Sequence, residues 1–235
     1  MKLAIVTGGS RGLGKALVEA FSRDQWEVVD FSRSGKGPYH QSFDLRHTNE
    51  VESKSKALFS RISRQKYEHV VLINNAATIT PIKRVSDITK SQFQHSITVN
   101  IVSSLCLMQL FIQKLRTLDT RKTLINISSG AANKGYAGWS LYCAGKASCD
   151  NFIRAIAEEE RTESFPFEAF NFNPDVMDTA MQAEIRESDS HDFPSIERFQ
   201  GYKLNNELRS PSEVAHVLVQ LIKHNNVLTE DYYSV

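Results

Sequence analysis

The sequence predicts an α/β fold with a doubly wound parallel sheet and helices on both of its faces. Short apolar segments alternate with amphipathic helical segments along the 235 residues, and this alternation is typical of parallel strands joined by crossover helices. No repeat, low-complexity tract or linker divides the chain, so residues 1–235 are predicted to form one domain. Ligands of such sheets gather at the carboxyl ends of the strands, and a binding site is expected there.

Each predicted strand is a short apolar run, and each predicted helix has apolar residues at helical spacing. The first strand, residues 3–6, is uniformly apolar and leads into a glycine cluster. The strands that follow are predicted at residues 26–31, 69–73, 123–127 and 167–172. The helices are predicted at residues 13–23, 51–62, 93–118, 142–161 and 212–223.

Residues 177–210 differ from the rest because they are polar and contain no strong strand. They follow the last predicted strand, at the ligand edge of the sheet. Long insertions in compact domains are often functional, so this segment is predicted to be a mobile substrate lid. An ordinary surface excursion is the alternative.

Composition excludes several classes of protein. The 28 basic residues balance 27 acidic ones, which argues against a nucleic-acid-binding protein. No stretch approaches the eighteen or so apolar residues of a membrane span, so no membrane partner is expected. The three cysteines suggest neither a disulfide framework nor a zinc site, no metal is predicted, and a reducing cytoplasm suits them.

The glycine cluster between the first strand and the first helix is predicted to hold a nucleotide. Glycines let backbone N–H groups approach a pyrophosphate, and the helix amino terminus favours its negative charge. The spacing differs from the G-x-G-x-x-G of two-domain dehydrogenases. The candidate contacts are Gly8, Ser10, Arg11, Gly12, Leu13 and Gly14.

The end of the second strand bears on the choice between NAD and NADP. An acidic residue there would bind the ribose hydroxyls of NAD, but the residues at the end of this strand are Ser32 and Arg33. Two guanidinium groups, from Arg11 and Arg33, could clamp a 2′-phosphate. NADP(H) is therefore the preferred cofactor, with NAD(H) possible. If the strand ended two residues earlier, Asp30 could take the ribose instead.

Tyr142 and Lys146 lie four residues apart on a predicted helix and so share a face. A nearby ammonium group stabilises a phenolate, which would let the phenol give and take a proton near neutral pH. Ser129 follows a predicted strand, where its hydroxyl could hold a carbonyl oxygen. Asn100 lies within the long helix 93–118.

Five segments together resemble the compact, single-domain form of the short-chain dehydrogenase/reductases. They are TGGSRGLG at 7–14, NNAA at 74–77, Asn100, ISSGA at 127–131 and YCAGK at 142–146, in the order and at the spacing of that family. The resemblance implies a Rossmann fold and a catalytic set of Asn100, Ser129, Tyr142 and Lys146. It implies further cofactor contacts from Asp44, Leu45, Asn74, Asn75, Ala76, Pro174, Met177 and Thr179, besides Tyr142 and Lys146.

The roles that the resemblance implies form a proton relay. Tyr142 would protonate the carbonyl oxygen as hydride arrives, and Ser129 would orient the carbonyl. Lys146 would lower the tyrosine pKa and bind the nicotinamide ribose, while Asn100 would support a water relay to it. Three positions depart from the family pattern, with Ala77, Gly145 and Asp175 in place of glycine, serine and glycine. Asp175 is tolerable if its backbone is ordinary, and Gly145 slightly weakens the helix.

Residues 173–182 and the carboxyl terminus are similar to those of sepiapterin reductases and benzil reductases. This implies a diketone, or an aromatic or pterin-like carbonyl compound, as the substrate. Tyr136 and Trp139 are predicted to line its pocket because they lie between Ser129 and Tyr142. The predicted function is an NADPH-dependent carbonyl reductase.

Three alternatives remain beside this function. They are an alcohol dehydrogenase, a 3-oxoacyl-thioester reductase of the same fold, and a regulatory protein that senses NADP without turnover. The intact set of four residues speaks against the sensor, which needs no proton relay. The helices 93–118 and 142–161 resemble those that form the family's dimer interface, so a homodimer or homotetramer is expected.

Overall fold

A computed structural model describes residues 1–223 and 232–235. Its sheet has seven parallel strands in the order β3-β2-β1-β4-β5-β6-β7. The strands are β1 (Lys2–Thr7), β2 (Glu27–Ser32), β3 (His40–Ser42), β4 (His69–Asn74), β5 (Arg121–Ile127), β6 (Phe167–Asn173) and β7 (Tyr232–Ser234). This confirms the predicted fold class, a doubly wound Rossmann sheet. The order reverses between β1 and β4, where such sheets bind ligands.

Eight α-helices cover the sheet in the described part of the chain. They are α1 (Gly12–Arg23), α2 (Thr48–Ile62), α3 (Lys90–Ile97), α4 (Ser103–Leu115), α5 (Ser140–Glu160), α6 (Ala180–Arg186), α7 (Ile196–Leu204) and α8 (Pro211–Lys223). Apolar residues of α2, α4 and α5 form one buried cluster with the sheet. Those of α1 and α8 form a second cluster. The two clusters make a three-layer sandwich, which explains why the central strands are apolar throughout.

Two strands and two helices were not predicted from the sequence. The edge strand β3 has only three residues, all polar, and β7 also has three. Hydrophobic periodicity gives no signal for such short edge strands. Within the segment 177–210, predicted as a lid, the structure places the short helices α6 and α7.

In the structure, the helix predicted at residues 93–118 begins earlier than expected and is irregular in its middle. It begins at Lys90, behind a capping box made by Thr89 and Gln92, and ends at Leu115. A π-helical turn at Thr98–Val102 joins α3 to α4. By length and hydropathy, Lys90–Leu115 could cross a membrane, which the sequence analysis did not expect of any segment. Half of its most apolar window is buried in the fold, which accounts for its composition.

Candidate active site

A cavity of about 460 Å³ lies at the carboxyl ends of the strands. The loop between β1 and α1 contributes to it, as do the ends of β2, β4, β5 and β6 and parts of residues 177–210 from Met177 to Tyr202. Of the predicted cofactor contacts, those that line it are Gly8, Ser10, Arg11, Gly12, Leu13, Ser32, Arg33, Asp44, Leu45, Asn75, Ala76, Tyr142, Lys146, Pro174, Met177 and Thr179. The predicted Ser129, Tyr136 and Trp139 line the same cavity. Residues predicted for cofactor, chemistry and substrate therefore share one space.

The glycine loop fits a pyrophosphate because side chains are excluded from it. Gly8 and Gly12 have φ values of 71° and 54°, which favour glycine. A Cβ on Gly14 would lie 2.2 Å from the Gly8 carbonyl oxygen, so Gly14 lets α1 approach the loop without lining the cavity. The described chain places no acidic residue in the first turn of α1, and Arg11 makes no side-chain cap. The N–H groups there are thus available to an anion.

The end of the cavity next to the tip of β2 is lined by three arginines. Arg11 and Arg33 are exposed, and Arg46, which the sequence analysis missed, is paired with Asp44 at 2.6 Å. Burial raises the pKa of the Asp44 carboxyl, but the hydrogen bonds and charge of Arg46, with the charge of Arg33, hold it below its ordinary value. Arg46 is therefore paired with a carboxylate, whereas Arg11 and Arg33 form none of the ion pairs among the described residues.

Asp30 is excluded from the cavity. Strand β2 continues to Ser32, and Asp30 is buried beneath the loops, accepting a hydrogen bond from the Ser32 hydroxyl at 2.9 Å. His40 lies 3.6 Å from the same carboxylate, and a Cβ on Gly9 would meet its other oxygen at 2.4 Å. The alternative in which Asp30 binds a ribose is therefore not supported by its position.

Tyr142 and Lys146 lie on the buried face of α5, one turn apart. The Lys146 ammonium group lies 5.8 Å from the centre of the Tyr142 ring and donates a hydrogen bond to the Ile127 carbonyl at 2.6 Å. Ile127 ends β5, and Ser129 follows it at the start of a short 3₁₀ turn. The end of β5 thus anchors Lys146 and leads directly to Ser129.

Asn100 lies in the π turn of the long helix rather than on the cavity wall. Its side chain accepts a hydrogen bond from the Thr78 N–H and donates one to the Thr78 carbonyl, both at 2.9 Å. Cys149 donates to the Asn100 carbonyl at 3.4 Å. π turns are frequent at functional sites. Here the turn fixes Asn100 between β4 and α5.

Gly145 has a packing role that the sequence analysis did not foresee. A Cβ at this position would lie 2.8 Å from the Cβ of Asn100. The glycine therefore allows α5 to rest directly on the π turn, and its cost in helix propensity, about 1 kcal/mol, is offset by this close packing.

A row of buried asparagines crosses the sheet beneath the site. Asn74, Asn126 and Asn171 are in register on β4, β5 and β6. Asn74 donates to Asn126 at 3.0 Å, and Asn126 donates to Asn171 at 2.9 Å and to Asp150 at 3.0 Å. Asn74 was predicted to contact the cofactor, but the structure places it in this row, off the cavity wall.

Asp150 connects the asparagine row to the reactive residues. It is buried one turn after Lys146 and accepts a hydrogen bond from the Ser128 hydroxyl at 2.6 Å. Burial raises the pKa of Asp150, and Ser128 and the charge of Lys146 partly oppose that rise. Sequence reasoning missed Asp150, although an asparagine in an apolar strand such as β5 signals a buried polar partner.

The loop after β6 takes an unusual backbone conformation. Asp175 has φ +55°, in the left-handed region, and its N–H donates to the Asn173 side chain at 3.2 Å. Asp175 therefore lacks the ordinary backbone that would make it an easy replacement for the family's glycine, and it takes a conformation that glycine adopts without steric cost. Thr179 then caps α6, with its methyl group facing Gly12 of the glycine loop.

Aromatic side chains enclose the other half of the cavity. Trp139 is buried, and its ring centre lies 5.2 Å from that of Tyr136 and 5.7 Å from that of Tyr142. It stacks on Phe193 at 4.5 Å and meets Phe199 edge-on at 5.1 Å. Both phenylalanines belong to residues 177–210, so this segment closes the cavity by aromatic packing.

Comparison with known proteins identifies the family. The sequence profile described as short chain dehydrogenase matches residues 2–190. The chain belongs to the short-chain dehydrogenase/reductase family. It is therefore an oxidoreductase that acts on carbonyl and alcohol groups with a nicotinamide cofactor.

Similar members of the family include reductases of aromatic carbonyl compounds. A benzil reductase ((S)-benzoin forming) of Bacillus subtilis (strain 168) is 38% identical over 228 residues, covering 95% of this chain and 94% of the relative. A sepiapterin reductase of Bos taurus is 27% identical, covering 95% and 90%. The crystal structure of a short-chain dehydrogenase/reductase from Saccharomyces cerevisiae has a TM-score of 0.81 at 27% identity, covering 100% of this chain and 96% of that one. The resemblance to this branch is confirmed.

Proposed function

We propose that this short-chain dehydrogenase/reductase is an NADPH-dependent carbonyl reductase, with an aryl diketone or a related aromatic or pterin-like ketone as its substrate. The observation that carries the proposal is the placement of Ser129, Tyr142 and Lys146 on the wall of the cavity that the glycine loop also lines. The names of the relatives, benzil reductase and sepiapterin reductase, support the substrate class.

Each of the four predicted catalytic residues has a separate role in the reduction. When bound, NADPH supplies the hydride. The Tyr142 hydroxyl donates a proton to the substrate carbonyl oxygen, and the Ser129 hydroxyl donates a hydrogen bond to that oxygen. Lys146, fixed by the Ile127 carbonyl, favours the phenolate that remains on Tyr142. Asn100, held by Thr78, keeps the π turn in place behind Lys146 and supports proton return through water.

The preference for NADPH rests on charge at the end of β2. Arg11 and Arg33 line the cavity there, and no carboxylate occupies the tip of that strand, because Asp30 is buried. Gly8, Ser10 and the amino terminus of α1 would hold the pyrophosphate. Lys146 would also bind the nicotinamide ribose.

A substrate panel with both cofactors tests the function. Turnover of benzil, sepiapterin, a 3-oxoacyl thioester and simple secondary alcohols is followed by nicotinamide absorbance with NADPH or NADH. We expect kcat/KM to be highest for benzil with NADPH. A higher kcat/KM for the thioester, or activity only in the alcohol-oxidising direction, would contradict the proposal and favour one of the alternative functions. Tight NADPH binding without any turnover would indicate a sensor.

We further propose that the protein is a cytoplasmic homo-oligomer assembled through α4 and α5. A groove between these helices is lined by Ile112, Phe152 and Ile156, and the three cysteines are free. Sedimentation velocity at micromolar concentration tests the assembly. We expect a dimer or tetramer, and a monomer would contradict it.

A further inference from the structure

The aromatic half of the cavity contains a positive charge that the reduction chemistry does not use. Arg198, on α7, lines the same cavity as Tyr142. Its Nε donates a hydrogen bond to the Tyr202 hydroxyl at 2.6 Å, and its guanidinium carbon lies 5.4 Å from the centre of that ring. The side chain is exposed but held in one place.

Tyr202 is the contact that holds Arg198, and Tyr136 acts on it more weakly. The hydrogen bond that Arg198 donates to the Tyr202 hydroxyl, with the smaller effects of Tyr202 and Tyr136 charge, raises the pKa of the guanidinium above its ordinary value, and burial partly opposes that rise. None of the ion pairs among the described residues involves Arg198. Both tyrosines line the cavity as well. Arg198 is therefore a cation without an ion-pair partner among the described residues, and Tyr202 of the cavity wall orients it.

An aromatic wall joins this cation to the reactive tyrosine. The ring of Trp139 lies 5.7 Å from that of Tyr142 and 5.1 Å from that of Phe199. The ring of Phe199 in turn lies 5.7 Å from that of Tyr202, which holds Arg198. The wall has a proton donor at one end and a fixed guanidinium at the other.

We propose that Arg198 is a specificity-determining residue that binds a carboxylate on the distal part of an aromatic carbonyl substrate. The inference rests on the proposed reductase function. Only the Nε donor of Arg198 is used by Tyr202, so the terminal N–H groups can meet both oxygens of a carboxylate, the geometry in which guanidinium groups bind best. The preferred substrates are then aryl ketones or diketones that carry an acidic group.

A matched pair of substrates isolates the charge. Benzil with a para-carboxylate and benzil with a para-carboxamide have nearly the same shape, and only the first is an anion at pH 7.5. The variants are Arg198→Gln, Arg198→Lys and, as a control, Lys203→Gln. Lys203 lies on the same helix, is paired with Asp178 and does not line the cavity.

Wild-type enzyme should reduce the carboxylate with a kcat/KM at least about tenfold above that of the carboxamide, a difference that corresponds to about 1.4 kcal/mol. Arg198→Gln should remove this difference while changing the carboxamide value less than about threefold. Arg198→Lys should keep part of it, and Lys203→Gln should keep all of it. Equal loss for both compounds in Arg198→Gln, or no carboxylate preference in the wild type, would overturn the proposal.

A binding measurement separates this inference from the proposed function. The tryptophan fluorescence of the protein, from Trp26 and Trp139, is titrated with the two compounds in the presence of NADP⁺, which requires no turnover. If neither compound is reduced, the proposed function is wrong, and the titration still decides on Arg198. Tighter binding of the carboxylate in the wild type, lost in Arg198→Gln, would sustain the inference. Equal binding of both compounds to the wild type would contradict the inference about Arg198.

Discussion

The two halves of the cavity are built in different ways. The cofactor half consists of the glycine loop 7–14 and the ends of β2, β4 and β5, and backbone and buried polar hydrogen bonds hold it. The Thr7 hydroxyl accepts from the N–H groups of both Asn75 and Ala76, for example. The substrate half consists of residues 130–139 and 177–210, and aromatic packing around Trp139 holds it. One half is fixed by the sheet, and the other by side-chain packing.

This difference separates what is general from what is specific. Strand ends in a parallel sheet lie at fixed spacing, so chemistry attached to them is placed accurately whatever the surface sequence. Loops and short helices can vary without disturbing that placement. The cofactor half therefore carries the chemistry of the family, and the substrate half carries the choice of substrate.

The largest effect is expected from removing the carboxylate beneath the cofactor half. Asp150→Ala leaves the buried Ser128 and Asn126 donors without their acceptor, which costs about 2–4 kcal/mol of unfolding free energy. Asp150→Asn keeps an acceptor oxygen and the side-chain volume, so its loss should be about 1 kcal/mol or less. Urea unfolding of both variants measures this. Equal losses in the two would show that the network does not organise this half.

A methyl group at Gly138 should affect the substrate half alone. Gly138 has φ +84°, and a Cβ there would lie 2.3 Å from the Asp192 carbonyl oxygen. Gly138→Ala should cost about 2 kcal/mol of unfolding free energy and raise the KM for the carbonyl substrate. The Kd for NADPH, from fluorescence titration, should stay unchanged.

Gly135→Ala is the matched control, because a Cβ at Gly135 meets nothing within 4 Å. It should leave stability and both constants near their wild-type values. An equal rise in the Kd for NADPH in Gly138→Ala would mean that the two halves are not independent.

Charge reversal at Arg33 tests the cofactor half at its outer end. Arg33→Glu should raise the KM for NADPH about tenfold, or about 1.4 kcal/mol, because a carboxylate repels the 2′-phosphate. The KM for NADH should change less than twofold. Lys36→Glu, an exposed change three residues away that does not line the cavity, is the control. Parallel changes for both cofactors in Arg33→Glu would refute the phosphate role.

The smallest effect is expected where the two halves meet, in the loop after β6. Asp175 is held at φ +55°, so Asp175→Gly should relieve strain and raise the unfolding free energy by about 0.5 kcal/mol. Gln25, at φ +60° outside the cavity, offers a control in Gln25→Gly with a similar gain. Thermal unfolding compares the two. A loss of stability only in Asp175→Gly would show that its carboxylate has a structural partner.

The same contrast explains what could be read from the sequence. The strands β1, β4, β5 and β6 and the residues attached to their ends follow from apolar runs and motif spacing. Helical spacing places Tyr142 and Lys146 on one face, and the motifs that accompany them indicate their role. The fold class and the shared cavity of the motif residues were therefore within reach of sequence reasoning.

The remaining features depend on contacts between residues far apart in the chain. The role of Asp150 requires the register of β4, β5 and β6, and that of Gly145 requires the π turn at Asn100. The left-handed backbone of Asp175 is signalled only by the glycine that the family has at this position, because aspartate itself is common in ordinary turns. Arg198 lies on a short helix in a polar segment, and only the packing of Phe199 on Trp139 brings it to the cavity.

The role of Tyr142 as proton donor is tested most directly by single turnover. Enzyme saturated with NADPH is mixed with benzil, and the loss of nicotinamide absorbance is followed in the wild type and in Tyr142→Phe. The phenylalanine keeps the contact with Trp139 but has no proton to give. The rate constant should fall about 100-fold or more, while NADPH binding is retained. A rate within a few-fold of the wild type would contradict the assignment of Tyr142.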